Sequence, residues 1–207
     1  MALSTLVKIS NVTNLSDARY CAGMGVDLLG FCMDADAPDY VDPDRFAAIR
    51  GWVAGVQIVG ETHSTDPVAI EQLVQAYQPD YLQVDDAAML PYLASFDKPL
   101  ILRVDLTTTT NSAQLEAIVR DGSATAEYIL LERDEAQPLT AEQQATVYKL
   151  AGKYPILLGT GITADNVHEL LEELPVRGIA LRGGDEEKPG DKEFGELMDI
   201  LEAIEED

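Results

Sequence analysis

Strand-like and helix-like segments alternate along this chain without interruption, and that alternation limits its possible folds more than any other feature. The opening stretch, Val7 to Phe31, holds the unit from which the rest is built. An apolar run from Leu6 to Ser10 is followed by the turn residues Asn11, Thr13 and Asn14. A helical segment spans about Leu15 to Met24, and a second apolar run, Val26 to Phe31, follows Gly25. Strand, loop, helix and strand within about 30 residues is the length of a βαβ unit, and strands joined by such a crossover lie parallel.

The alternation then continues to the end. Further strands are expected at Val56–Val59 (running on into Gly60–His63), Tyr81–Val84, Pro99–Asp105, Glu127–Leu131 with Glu132 closing it, Pro155–Leu158 and Gly178–Leu181. Helices are expected from Asp42-Pro43 to Trp52 and from Asp66-Pro67 to Tyr77, because Asp caps a helix and Pro suits its first turn. Others are expected over Ala87–Ala94, Asn111–Arg120, Thr140–Ala151, Thr163–Leu171 and Asp191–Ile204. Right-handed crossovers repeated in this way close into a (β/α)8 TIM barrel, an α/β fold, with residues 1–207 as one domain. An open doubly wound sheet is the competing arrangement. At 207 residues the chain sits near the lower limit for a barrel.

Composition narrows the partners. The net charge of −23 leaves no basic stripe to neutralise phosphates, which excludes a nucleic-acid partner. Much of the acid lies in Asp34–Asp44 and Asp185–Asp207, as a solvated face would place it. No apolar run is long enough to span a membrane, and the N-terminus has no secretory pattern, so a cytoplasmic location is expected. Cys21 and Cys32 form no CxxC pair and are read as reduced, packed thiols.

In a barrel of this kind the active site lies at the C-terminal strand ends, and residues two apart on a strand share a face. The polar residues there are Lys8 and Ser10, Glu61 and His63, Gln83 and Asp85, Arg103 and Asp105, Glu132, and Arg182. Cations and carboxylates meeting in one mouth perturb one another's protonation, as functional sites do. His63 is a candidate acid/base group; His168 falls within the seventh helix and is read as a surface or packing residue. A single candidate histidine makes no metal site. The loops after strands seven and eight carry Gly159-Thr160-Gly161 and Arg182-Gly183-Gly184. Small residues there let backbone N–H groups approach an anion at the start of a helix, which predicts a phosphate cradle.

The chain resembles the phosphoribosylanthranilate isomerase family of tryptophan biosynthesis along essentially its whole length. VKISNVTNLSDA at its start is similar to the family's VKICGITNLEDA, and Gly25–Phe31 to its GADAVGF. Tyr40–Pro43 is similar to Y-[IV]-[SD]-P, Leu158–Val167 to LSGGLNPENV, and Gly178–Phe194 to AVDVSSGVEAFPGKKDH. The resemblance implies a (β/α)8 barrel that binds a phosphorylated small molecule, as a monomer or homodimer, without cofactor or metal. The implied reaction is an Amadori rearrangement of an aminoaldose phosphate, in which a base removes the C2 proton while an acid protonates the ring oxygen.

The chain departs from the pattern at residues that carry chemistry. Ser10 stands where the family has its basic Cys, Glu132 where it has its acidic Asp, and Asp39 where an Arg holds the anthranilate carboxylate. A hydroxyl is far too weak an acid to replace a thiol as base. Glu132 is then the expected acid, with Asp85 or His63 as the replacement base and Lys8, Arg103 and Gln83 contacting substrate. Altered or lost isomerase activity is the expectation. The alternatives are a barrel acting on a different sugar phosphate, or a non-catalytic interaction protein on the same scaffold.

Overall fold

A computed structural model describes residues 2–109, 111–133, 137–183, 186–188, 191–192 and 195–206. Eight strands form a closed parallel barrel: β1 (Leu6–Ser10), β2 (Leu28–Cys32), β3 (Gln57–Thr62), β4 (Tyr81–Val84), β5 (Leu100–Asp105), β6 (Tyr128–Glu132), β7 (Ile156–Gly159) and β8 (Gly178–Arg182). Neighbours in sequence are neighbours in the ring, and β1 pairs with β8 from Leu6↔Gly178 to Ser10↔Arg182. The open sheet is therefore excluded.

Helices α1 (Leu15–Gly23), α2 (Pro43–Arg50), α3 (Pro67–Tyr77), α4 (Leu90–Leu93), α5 (Ser112–Gly122), α6 (Ala141–Ala151), α7 (Val167–Glu173) and α8 (Gly195–Ala203) lie between and after the strands. Their starts follow from capping chemistry. Asp42 accepts from the amides of Asp44 and Arg45, and Asp66 from that of Val68, each just before a Pro. Asn111 caps α5, and Thr140 with Gln143 makes a reciprocal capping box on α6.

Three segments differ from the sequence-based expectation. The region 87–96 is a short α-turn between two 3₁₀ turns; Pro91, which has no N–H to donate, sits in the middle of it. The seventh helix begins four residues late, because the Asn166 side chain accepts from Thr163 N and donates to Gly161 O, holding 163–166 as a turn. Asp191 and Lys192 belong to a strand that pairs with Glu186–Lys188, not to the last helix. A further antiparallel pair, Ala2–Leu3 with Glu205–Glu206, joins the two ends of the chain.

Strand alternation divides the core in two. Leu28, Val59, Tyr81, Ile101, Tyr128, Leu130, Leu157 and Ala180 fill the barrel interior, with the Tyr81 and Tyr128 rings stacked 6.2 Å apart. The outward residues, among them Val7, Ile9, Leu29 and Phe31, pack under the helices. There Phe31 and Phe46 meet edge to face at 5.3 Å, and Phe46 and Tyr77 at 5.2 Å. Among the described residues no helix is long and apolar enough to cross a membrane.

Closure depends on close approach at the seam. A Cβ on Gly178 would lie 2.2 Å from the Leu6 carbonyl oxygen, a contact that only backbone movement relieves. Gly178→Ala is expected to destabilise the fold by about 1–3 kcal/mol, read as a lower urea midpoint at unchanged m-value.

Candidate active site

A cavity of about 1180 Å³ opens at the C-terminal ends of the barrel strands. Eight of the polar candidates read from the sequence share it: Ser10, Glu61, His63, Gln83, Asp85, Arg103, Glu132 and Arg182 all line its wall. They do so because inward positions on neighbouring strands stand side by side, as in Glu61↔Gln83 and Ser10↔Arg182.

Beneath the cavity lies Lys8, with no exposed surface. Its Nζ donates to Ser10 Oγ at 2.5 Å and forms an ion pair with Glu61 Oε1, while Ser10 Oγ donates to the same Glu61 oxygen at 2.8 Å. The Ser10 proton is thus committed to a carboxylate, and its oxygen lone pair to an ammonium. Room for the pair comes from Gly30, where a Cβ would fall 2.0 Å from Glu61 Oε1.

A second network runs around the rim. Asp85 Oδ2 accepts from His63 Nδ1 at 2.5 Å and from Arg103 Nη1 at 3.4 Å. Arg103 Nε also donates to Glu132 Oε1, the oxygen that accepts from Arg182 Nη2 at 2.9 Å. Burial pushes the Glu132 carboxyl up, but the charges of Arg182, Lys8 and Arg103 outweigh it and hold the group below its ordinary value. Glu132 therefore rests ionised. His63 moves the other way. The hydrogen bond it donates to Asp85 raises it, burial opposes, and the Asp85 and Asp34 charges add to the rise. Bonding through Nδ1 leaves Nε2 as the ring nitrogen open to a ligand.

Asp34 escaped the sequence reading. It follows the second strand closely, and its carboxylate accepts from Thr62 Oγ1 and His63 N, each at 2.6 Å. One carboxylate thus fixes the His63 backbone and another its ring. The only hint in sequence was an Asp near a strand end; the loop path that brings it to His63 left none. Cys32 also lines the wall, but burial and the charges of Asp39, Asp34 and Glu61 push its thiol up to about 12, so it does not rest as a thiolate. Gln83 is 4% exposed, and its Oε1 has no hydrogen-bond partner among the described residues.

The predicted cradle residues are arranged differently from these. A Cβ on Gly159 would meet Glu132 Cβ at 2.8 Å, so this glycine makes room for the carboxylate beside it. Thr160 Oγ1 donates to Gln137 O at 2.9 Å, and Gly161, at φ +71°, faces the backbone of 137–139. Gly183 N donates to Ser10 O at 3.0 Å. Of the two loops, Arg182 alone among the described residues lines the cavity, and Gly184 lies outside them. His168 is exposed on α7. Among the described residues no group of three or more His, Cys, Asp or Glu is placed to hold a metal ion.

No family model matches the chain. It is 24% identical over 210 residues to the N-(5'-phosphoribosyl)anthranilate isomerase of Maridesulfovibrio salexigens, covering 98% of this chain and 99% of that protein. The phosphoribosyl anthranilate isomerase of Thermotoga maritima superposes with a TM-score of 0.79 at 19% identity, over 97% of this chain and 98% of that one. A further solved isomerase of the same name is in complex with reduced 1-(o-carboxyphenylamino)-1-deoxyribulose 5-phosphate. It superposes with a TM-score of 0.77 at 19% identity, over 97% and 98% of the two chains.

Two measurements probe the networks. Glu61→Leu leaves the Lys8 ammonium without its carboxylate and is expected to cost about 3–5 kcal/mol in urea unfolding, with Lys8→Met/Glu61→Leu costing less than the single change. By NMR the His63 ring is expected to titrate above 6.5, and Asp85→Asn to lower its midpoint. The stabilisation linked to this raised value is full below the unfolded pKa and is lost as pH rises through the folded one.

Proposed function

We propose that the chain is a member of the phosphoribosylanthranilate isomerase family and that its cavity binds a phosphorylated sugar and moves protons along it in an aldose–ketose rearrangement. Such a rearrangement takes a proton from C2 and gives one to the ring oxygen, with no external oxidant or reductant. It needs one group that rests deprotonated and one that holds a proton near neutral pH.

The observation that carries this reading is the chain of contacts from His63 through Asp85 and Arg103 to Glu132 in one cavity. Its two ends are pushed in opposite directions, Glu132 toward its ionised form and His63 toward its protonated one. Ionised Glu132 is the acceptor for the C2 proton, and His63, kept proton-bearing by Asp85, is the donor to the ring oxygen. This reverses the roles expected from sequence, because a carboxylate held ionised has no proton to give. Ser10 takes no part as a base, since its hydroxyl bridges Lys8 and Glu61.

Arg182, the more exposed of the two guanidiniums on Glu132, is the cation that a ligand phosphate can recruit. Recruitment removes one of the charges that hold Glu132 low and strengthens it as a base once substrate is present. The carboxylates lining the cavity beside Asp39 favour a substrate other than one with an anionic aromatic ring.

Turnover assays with phosphoribosylanthranilate and other phosphosugars test the reading. Measurable turnover of at least one compound is expected, with Glu132→Gln and His63→Asn each lowering kcat by about 10²–10⁴. Turnover no faster than buffer, together with no rise in melting temperature for any phosphosugar, overturns it.

A further inference from the structure

We propose that Asp34 is a positioning residue for His63: it holds the chain just past the end of β3 so that the imidazole ring meets Asp85 at the cavity mouth. The catalytic consequence rests on the function proposed above, in which His63 gives up a proton; the holding itself does not.

The parallel ladder stops short of His63. Its last rung between β3 and β4 is Thr62↔Val84, so His63 and Asp85 stand one residue beyond it on neighbouring strands. Past the ladder a backbone N–H needs some other acceptor. The His63 side chain is also 60% exposed, and an exposed ring spreads over several rotamers unless polar contacts select one.

Asp34 supplies what the sheet does not. One of its carboxylate oxygens accepts from His63 N and the other from Thr62 Oγ1, each at 2.6 Å. Thr62 Oγ1 in turn accepts from Ser64 N at 3.1 Å, so a single carboxylate gathers residues 62–64. The backbone around Asp34 is itself anchored: Met33 N donates to Glu61 O at 2.9 Å and Ala37 N to Asp34 O at 3.0 Å. Three consecutive strands of the ring thus contribute one member each, with Asp34 after β2, His63 after β3 and Asp85 after β4.

Charge adds to position. The charged groups acting on the imidazole are Asp85, Asp34 and, on β5, Arg103; the two carboxylates favour the protonated ring and the guanidinium opposes it. The hydrogen bond to Asp85 is the largest of these effects, and it persists only while the backbone carries the ring to that carboxylate.

Asp34→Asn and Asp34→Ala, each with its unliganded melting temperature measured, separate the two contributions. Asn removes the charge but keeps a carbonyl oxygen for His63 N, whereas Ala removes both. Histidine NMR, with the His168 ring on α7 as internal reference, is expected to show the His63 midpoint lowered by Asn and lowered further by Ala. In an Asp85→Asn background, where the ring has no carboxylate to meet, Asp34→Ala is expected to shift the midpoint less than in the unsubstituted protein. On the phosphosugar turned over fastest, Asp34→Ala is expected to lower kcat by about 10–100-fold with KM changed less than about twofold. The alkaline limb of the rate profile moves to lower pH with the midpoint, because a donor must hold its proton to act. Equal midpoints for Asn and Ala overturn the holding role, as does an undiminished shift in the Asp85→Asn background. A lowered midpoint with unchanged kcat keeps the hold and overturns its catalytic use. Absence of turnover with every phosphosugar overturns the proposed reaction, and the midpoints still decide the hold.

Discussion

An ammonium enclosed inside a parallel barrel has to be neutralised where it lies, and the upper half of this molecule is arranged around that requirement. Lys8 reaches no solvent, so Glu61 on the strand two places along supplies its counter-charge and Ser10 a further acceptor. The cluster fits only because Gly30, on the strand between them, has no side chain. Below this level the interior is apolar and close-packed. Above it stand Ser10, Glu61, Gln83, Arg103, Glu132 and Arg182, and the cavity begins. The position of the buried charge thus sets where packing stops and chemistry can start.

The consequence reaches beyond the immediate pair. Lys8 is one of three cations that keep Glu132 ionised, although it lies beneath the cavity and Arg103 and Arg182 at its rim. Asp85 divides its acceptor capacity between a histidine and an arginine, and that arginine also serves Glu132. A ligand that captures the Arg182 guanidinium changes the proton affinity of Glu132 even where it does not touch that carboxylate.

Much of this architecture is readable in advance. The alternation of strand and helix predicts the closed ring, and a period of two along each strand picks out the side chains that share the cavity. What escapes reading depends on contacts between distant segments. Asp34 matters because a loop folds it onto the His63 backbone, and no pattern within 34–40 signals that path. The Thr160 hydroxyl donates to Gln137 O, from a segment that connects a strand to a helix and has no motif of its own to signal the contact. Asp191 sits where the last helix was expected to begin but pairs across a two-stranded ribbon instead, tertiary pairing overriding local preference.

The ribbon that joins Ala2–Leu3 to Glu205–Glu206 also decides how the molecule bears load. Because Ala2 stands opposite Glu206 and Leu3 opposite Glu205, tension applied at the two ends meets the bridges one after another, in a peeling geometry. The ends part under little force, like a zip opened from its tab, and only then does strain reach the barrel seam between β1 and β8. Pulled from that side, the ribbon is a fuse that yields before the mouth of the barrel is disturbed.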